Sequence, residues 1–345
     1  MKNDHGKFGF HQKPHLVILT THFGNNFSGG STATCEIFYR IEDEFEDITV
    51  LGTQLGTHPF KEIKFIKYHY WFQAFFELKK LHKPNTIFYG DFYNSFLFVL
   101  AGVPYYFTYH DNWPELSRES TNSKWLSFFY TPVYQQIFKK AGMVFTVSKF
   151  KYEYILNFTP KVQLVYNGFE KKHGAKQNHH SQNKKAVMMV GNIDKRKYKM
   201  ALQLFRQFSE DEEIEIDIYG NKVDKGLAQK LSQFHFVNLK GFHKNIPFSN
   251  YKLLLHTSIS ESFGMVFCEA IHAKIPVLAF DTGGAKELIN KENGILIPPY
   301  KISIMKEELM NILEGKIPFR FNSNSLEKFS WENAGKNYLN YMLSN

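Results

Sequence analysis

The sequence predicts an α/β protein made of two parallel-sheet halves, and three observations carry that expectation. Short apolar runs alternate with longer helical patterns from end to end. Such alternation implies parallel sheets covered on both faces. The pattern stops once, in the polar stretch Lys171 to Lys185 (KKHGAKQNHHSQNKK), and then restarts. That break reads as an interdomain linker. At 345 residues, 43% of them hydrophobic, the chain can build two cores rather than one.

In order, residues 1–14 are polar, rich in His and Lys, and read as a flexible tail. The first half (15–170) has strand patterns at His15–Thr21, Ile48–Leu51, Thr86–Tyr89, Tyr105–Tyr109, Met143–Val147 and Val162–Tyr166. Helical patterns fall between them at Thr32–Glu44, Tyr68–Leu81, Ser95–Ala101, Ser123–Ala141 and Lys149–Asn157. After the linker (171–185), the second half (186–330) has strands at Ala186–Val190, Ile214–Tyr219, Phe236–Lys240, Leu253–Thr257, Pro276–Phe280 and Gly294–Ile297. Its helices are expected near Lys199–Phe208, Lys225–Gln233, Met265–Ala273 and Ser303–Leu313. A last helix in 331–345 closes the chain and is expected to pack back on the first half. Two such halves would face a cleft between the carboxyl ends of their sheets, where ligands of these folds bind.

Composition narrows the function classes. The net charge is +9, which favours anionic partners without choosing among nucleic acid, lipid head groups and phosphorylated small molecules. Two distant cysteines, Cys35 and Cys268, exclude a disulfide scaffold and a cysteine-rich zinc module, and suit a reducing cytoplasm. The first residues lack the apolar core of a secretory signal, and no apolar run approaches the ~20 residues of a membrane span. The expected location is the cytoplasm, in solution or on the inner face of the membrane. Phe (35) and Tyr (19) are frequent enough to predict an aromatic core.

The most informative stretch is Ser260–Ala273, SESFGMVFCEAIHA. Glu261 falls in a loop after a strand, and Glu269 two turns into the next helix. The helix start at Phe263, Gly264, Met265 and Val266 offers unpaired N–H groups and the positive end of a dipole, which suits a phosphate. Gly264 allows the backbone to approach such a ligand closely. The flanking carboxylates can accept hydrogen bonds from sugar hydroxyls. On its own, Glu269 reads equally as a solvated helix face.

The block ESFGMVFCEA…KIPVLAFDTGGAKELI…NGILI resembles the retaining GT-B glycosyltransferases of family 4 and their E-x7-E motif. The resemblance implies a GT-B fold of two Rossmann-like domains, with Glu269 on the nucleotide's ribose and Glu261 on the sugar. Val190–Lys197 is similar to the family's phosphate loop, and Lys197 matches its lysine. Asn192 stands where the family has an arginine and Tyr198 where it has a glycine; adjacent Arg196 is the candidate replacement for the diphosphate contact. Gly29 and Gly30, in the stretch Asn25–Ser31, resemble the family's Gly-Gly loop facing donor phosphates and acceptor. His110-Asp111 resembles the family's H-D pair, whose histidine sits beside the transferred sugar. Ser148-Lys149 and Asn167-Gly168 also fall where the family has similar residues.

The resemblance implies transfer from a UDP- or GDP-linked sugar to a glycan or lipid-linked acceptor, with His110, Glu261 and Lys197 at the catalytic centre. No cofactor or metal is expected, since no dinucleotide fingerprint, Walker loop, H-E-x-x-H or Asp-rich cluster occurs. Gly90-Asp91-Phe92 reads as a loop and His179-His180 as solvated. Bacterial surface glycans such as lipopolysaccharide or capsule are the expected products. The rivals are another GT-B enzyme (phosphorylase or epimerase) and a non-catalytic GT-B partner or glycan-binding subunit. A nucleic-acid role has only the charge behind it and no recognition motif. Lys61–Lys83, KEIKFIKYHYWFQAFFELKKLHK, leaves two readings: an interfacial helix on anionic membrane, or a core helix with solvated lysines.

Overall fold

The computed structural model describes residues 13–118, 121–170 and 186–343. Residues 1–12 of the expected tail and the expected linker 171–185 lie outside the described residues. The chain divides into two compact units. The first comprises Met1–Pro114, Trp125–Gly168 and Phe329–Asn345; the second comprises Glu115–Lys124 and Phe169–Lys328.

The amino-terminal unit runs β1 (His15–Leu19), β2 (His22–Phe23), α1 (Gly29–Tyr39), β3 (Ile48–Gly52), β4 (Gln54–Leu55), β5 (Lys64–Lys67), α2 (Trp71–Leu81), β6 (Thr86–Gly90), α3 (Phe96–Ala101), β7 (Tyr106–Tyr109), α4 (Thr121–Lys140), β8 (Met143–Thr146), α5 (Lys149–Leu156) and β9 (Val162–Leu164). Seven strands form one sheet in the order β5-β3-β1-β6-β7-β8-β9, and every pairing is parallel. β2 and β4 make a separate parallel pair. Leu16 to Leu19 and Val50-Leu51 are fully buried, as expected of strands covered on both faces.

The aromatic residues form this core. The ring of Phe38 meets Tyr89 edge-on at 4.5 Å, and Phe145 stacks on Tyr338 at 4.2 Å. Tyr338 belongs to α10 (Trp331–Leu343), the last helix of the chain, which packs against α1 of this unit. Its hydroxyl bonds Thr108 at 2.8 Å, and Arg40 pairs with Glu332 at 3.0 Å.

The carboxy-terminal unit contains β10 (Ala186–Val190), α6 (Lys195–Phe205), β11 (Glu215–Tyr219), α7 (Lys225–Leu231), β12 (Val237–Gly241), β13 (Leu253–His256), α8 (Met265–His272), β14 (Val277–Phe280), β15 (Gly294–Ile297) and α9 (Ile302–Leu313). Its six strands are parallel, ordered β12-β11-β10-β13-β14-β15. Val187, Ile216, Ile218, Leu253 and Leu255 pack with Leu204 and Phe205 of α6 into one core.

In each sheet the strand order reverses beside the first strand, between β1 and β6 and between β10 and β13. Open parallel sheets bind ligands outside the carboxyl ends of their strands at that reversal. The loops leaving these strands are therefore where each unit's chemistry should collect.

Two local expectations are corrected. Residues 29–31 open α1 rather than lying in a loop before it. Ser28 is the helix cap, its hydroxyl accepting from Ser31 N at 3.1 Å, so the helix starts three residues earlier than its apolar pattern. The Lys61–Lys83 stretch is not one helix. Lys64–Lys67 is an edge strand, and the helix runs Trp71–Leu81. A strand with outward lysines at both ends suits a sheet edge, where charge blocks further pairing.

Candidate active site

In the carboxy-terminal unit, the loops leaving β10 and β13 hold four ionisable side chains close together. Asp194 caps α6, accepting from Lys197 N at 2.9 Å. That cap sets the first turn of the helix and the direction of Arg196 and Lys197. The Lys197 ammonium lies against the α-carbon of Gly191. Arg196 donates to Ser260 O at 2.8 Å, and its guanidinium is 3.9 Å from the Glu261 carboxylate. Glu261 lies 3.3 Å from His256 Nε2, at the end of β13, an ion-pair distance without hydrogen-bond alignment.

Electrostatics follow from this packing. Burial works against the charge on Glu261. The contact with His256 and the positive charges of Lys197 and Arg196 outweigh it and hold the carboxyl down at about 2. Burial, then Arg196, lowers the Lys197 pKa, while Glu261 and Asp194 pull it back up. Burial also lowers His256. The result is an ionised glutamate facing Arg196 and Lys197, with Asp194 as the second anion; the two cations can turn to an anionic ligand and the carboxylate to its hydroxyls.

The loop that carries Glu261 is built tightly. Gly283 has φ +54°, and a Cβ there would lie 1.7 Å from Glu261 O. Gly284 N donates to that same carbonyl at 3.2 Å. The D-T-G-G turn thus presses directly on the glutamate's backbone. Gly264, at φ +90°, begins α8 without a side-chain cap, and a Cβ there would meet the Phe267 ring at 2.4 Å. Helices α1, α5, α6 and α7 all begin with a capping side chain. α8, like α3 and α9, has no such cap, and the N–H groups at Met265 and Val266 can serve an anionic ligand. Phe263 is buried just before the helix, and Glu269 is half-buried one turn along.

Asn192, in the place of the family's arginine, serves the loop instead, its side-chain oxygen accepting from Asn221 N at 3.3 Å. Tyr198 is buried and donates to Gly191 O at 3.1 Å, bracing the loop from beneath. Of the two positions that depart from the family pattern, neither presents a charge; Arg196 does.

In the amino-terminal unit, His110 follows β7, and Gly30 in the first turn of α1 lies against it. A Cβ on Gly30 would come 3.1 Å from His110 Cβ. Gly29 is the exposed first residue of that helix. His110 Nε2 is 3.5 Å from Thr34 Oγ1, which donates to Asp91 Oδ2 at 2.8 Å. Burial lowers the His110 pKa to about 4, so the imidazole is neutral at neutral pH. Asp91 is fully buried, and burial raises it to about 7 against hydrogen bonds from Thr34 and Thr20.

Three of these residues had no signal in the sequence. His256 reads as the end of an apolar strand, Thr34 as helix interior and Asp91 as a turn. Only their position at the strand-order reversals marks them. Among the described residues, no group of three or more His, Cys, Asp or Glu side chains is placed to hold a metal ion.

Comparison with known proteins bears on the family and the fold. Residues 170–329 match the family pattern of glycosyl transferases group 1, and residues 34–172 match that of Glycosyltransferase Family 4. The UDP-N-acetylglucosamine–peptide N-acetylglucosaminyltransferase GtfA subunit of Streptococcus parasanguinis is 37% identical over 93 residues. That match covers 25% of this chain and 18% of the relative. Among solved structures, Anabaena HepE in complex with UDP-glucose superposes with a TM-score of 0.75 at 18% identity, over 96% of this chain and 100% of that one. WaaG, a glycosyltransferase of lipopolysaccharide biosynthesis, gives 0.70 at 16% identity over 94% of each chain. At these identities the superpositions carry the fold and not the substrate. On the two family patterns together with this fold, the chain belongs to the family 4-type GT-B glycosyltransferases.

Proposed function

We propose that this protein transfers a hexosyl or related sugar from a nucleotide donor to an acceptor hydroxyl, with retention of anomeric configuration. The observation that carries the reading is the Arg196–Lys197–Glu261 cluster at the β10/β13 reversal, beside the uncapped start of α8. When the bond from the anomeric carbon to the diphosphate breaks, the electron pair leaves with the diphosphate. Lys197, Arg196 and the N–H groups at Met265 and Val266 would neutralise that charge without a metal ion. Ionised Glu261 would accept hydrogen bonds from the sugar, and Glu269 from the ribose. His110 stays in this reading as a sugar-contacting residue. Its neutral imidazole supports that role, since it offers one donor and one acceptor rather than a charge. Gly29 and Gly30 stay as positions facing phosphate and acceptor.

The donor is proposed to be UDP-linked, with GDP as the other base to test; the partial match to a UDP-N-acetylglucosamine-using relative supports the first. The acceptor is proposed to be a glycan or lipid-linked sugar in surface polysaccharide, lipopolysaccharide or glycoconjugate assembly. Peripheral attachment to the inner face of the cytoplasmic membrane belongs to the same reading. No helix among the described residues is long and apolar enough to cross a membrane.

A thermal-shift series with UDP, GDP, ADP, CMP and their sugars in EDTA tests this reading. The expected result is stabilisation by one nucleotide series, growing with concentration and lost in Lys197→Ala and Glu269→Ala. Silence across all four series overturns the donor site.

A further inference from the structure

Thr34, Asp91 and His110 come from three neighbouring elements of the amino-terminal unit. Thr34 is buried in α1, Asp91 follows β6, and His110 follows β7, the strand paired with β6. A threonine hydroxyl has one proton and two lone pairs. Here the proton goes to Asp91 Oδ2 at 2.8 Å, the shortest of three contacts. The others are the Tyr89 hydroxyl at 3.4 Å and His110 Nε2 at 3.5 Å.

An ionised carboxylate only accepts, so a charged Asp91 commits the Thr34 proton to itself. Its other oxygen, Oδ1, meets no hydrogen-bond partner among the described residues, which leaves the carboxylate leaning on Oδ2. Each remaining neighbour of Thr34 then meets a lone pair and has to donate. For His110 that means a hydrogen on Nε2 and a lone pair on Nδ1.

The groups around Asp91 make this arrangement dependent on pH. Tyr89 of β6, Tyr338 of α10, Tyr134 of α4 and Tyr68 ahead of α2 are all kept neutral by burial. Thr20, at the end of β1, adds a second hydroxyl, and Asp111, after β7, adds a like charge. Asp91 changes charge at about 7, whereas His110 stays neutral down to about 4. Between those values a protonated Asp91 can donate to Thr34, which frees the Thr34 proton for Nε2 and reverses the direction of the relay.

We propose that Asp91, acting through Thr34, is a positioning residue that fixes the tautomer of His110, with hydrogen on Nε2 and a lone pair on Nδ1. The inference rests on His110 as a sugar-contacting residue and deepens that reading. The ring's donor is spent inside the unit, so its part toward a sugar is to accept from a hydroxyl.

The test is a long-range 1H–15N correlation spectrum of the full chain labelled on histidine, read without substrate. His110 is identified by the signals lost in His110→Asn. Expected at about pH 8.5 is hydrogen on Nε2, and at about pH 5.5 a tautomer ratio about fivefold weaker. Thr34→Val should show the weaker ratio at both pH values, Thr34→Ser should restore wild type, and Asp91→Asn should abolish the pH dependence. Thr34→Val should also lower kcat about fivefold with donor KM unchanged, and Thr34→Ser should recover it. Hydrogen on Nδ1 at the higher pH overturns the proposal. So does a wild-type ratio constant across this range, or a natively folded Thr34→Val with the wild-type spectrum. The expected spectra with wild-type turnover in Thr34→Val would leave the relay standing and remove His110 from the sugar.

Discussion

Glu261 and Asp91 are both carboxylates at the strand-order reversal of their sheets, and their neighbours push them in opposite directions. Glu261 has cations beside it and is held at about 2, below its ordinary 4.5. Its stabilisation is present above about pH 4.5 and lost as pH falls toward 2. Asp91 has no cation among these neighbours; burial, with some help from the Asp111 charge, outweighs its hydrogen bonds from Thr34 and Thr20 and raises it from 3.8 to about 7. Its favourable protonated form is fully present below about pH 3.8 and lost as pH rises through 7. Asp91→Asn, a neutral isostere, should therefore melt higher than wild type above pH 7, with a clearly smaller gap at pH 5 that closes toward pH 4. Melting curves from about pH 5 to pH 9 check this, and parallel curves would remove the raised pKa. For the charge cluster, Lys197→Ala and Glu261→Gln should each lower turnover by about 10²–10³-fold. Circular dichroism of both variants should remain native. A tenfold loss or less would place these residues outside the reaction.

At the scale of elements, the decisive feature is how the Glu261 loop, the D-T-G-G turn and the start of α8 are wedged together. Glycine is required at Gly283 because the left-handed backbone there brings its α-carbon onto Glu261 O. Gly283→Ala should cost about 1–3 kcal/mol by denaturant titration and lower turnover by displacing Glu261. Unchanged stability would mean the turn can yield. Sequence pattern located α8 well, because apolar period is a local signal, but began α6 at Lys199, four residues past its Asp194-capped start at Lys195. It missed β5, where four residues flanked by lysines carry too short a pattern. It also began α2 at Tyr68, three residues early, because the aromatic run masks the break at Tyr68–Tyr70.

For the whole molecule, two units with separate cores predict two thermal transitions. Nucleotide should raise the one belonging to the carboxy-terminal unit, by about 2.7 kcal/mol at a hundredfold excess over Kd. Removing residues 331–345 should lower the other, since Tyr338, Trp331 and Met342 are buried in the amino-terminal unit. Tyr338→Phe alone, losing the Thr108 bond, should cost that unit about 1 kcal/mol. Scanning calorimetry reads all three, and a single transition raised as a whole by nucleotide would overturn the separation.

By itself the sequence determined the α/β class, the two sheets and most strands. It also supplied the two glutamates with their glycine-started helix, and the lysine and arginine that stand in the first turn of α6. These are local: period, capping and spacing act within a dozen residues. The tertiary structure alone decided that His256 meets Glu261, that Thr34 stands between Asp91 and His110, and that Tyr338 enters a core over two hundred residues earlier. It also decided that the aromatic faces of α2 and α4 turn outward. Periodicity names the apolar face of an element but not the neighbour that covers it. That choice belongs to contacts between residues far apart in the chain, which form only when the sheets assemble.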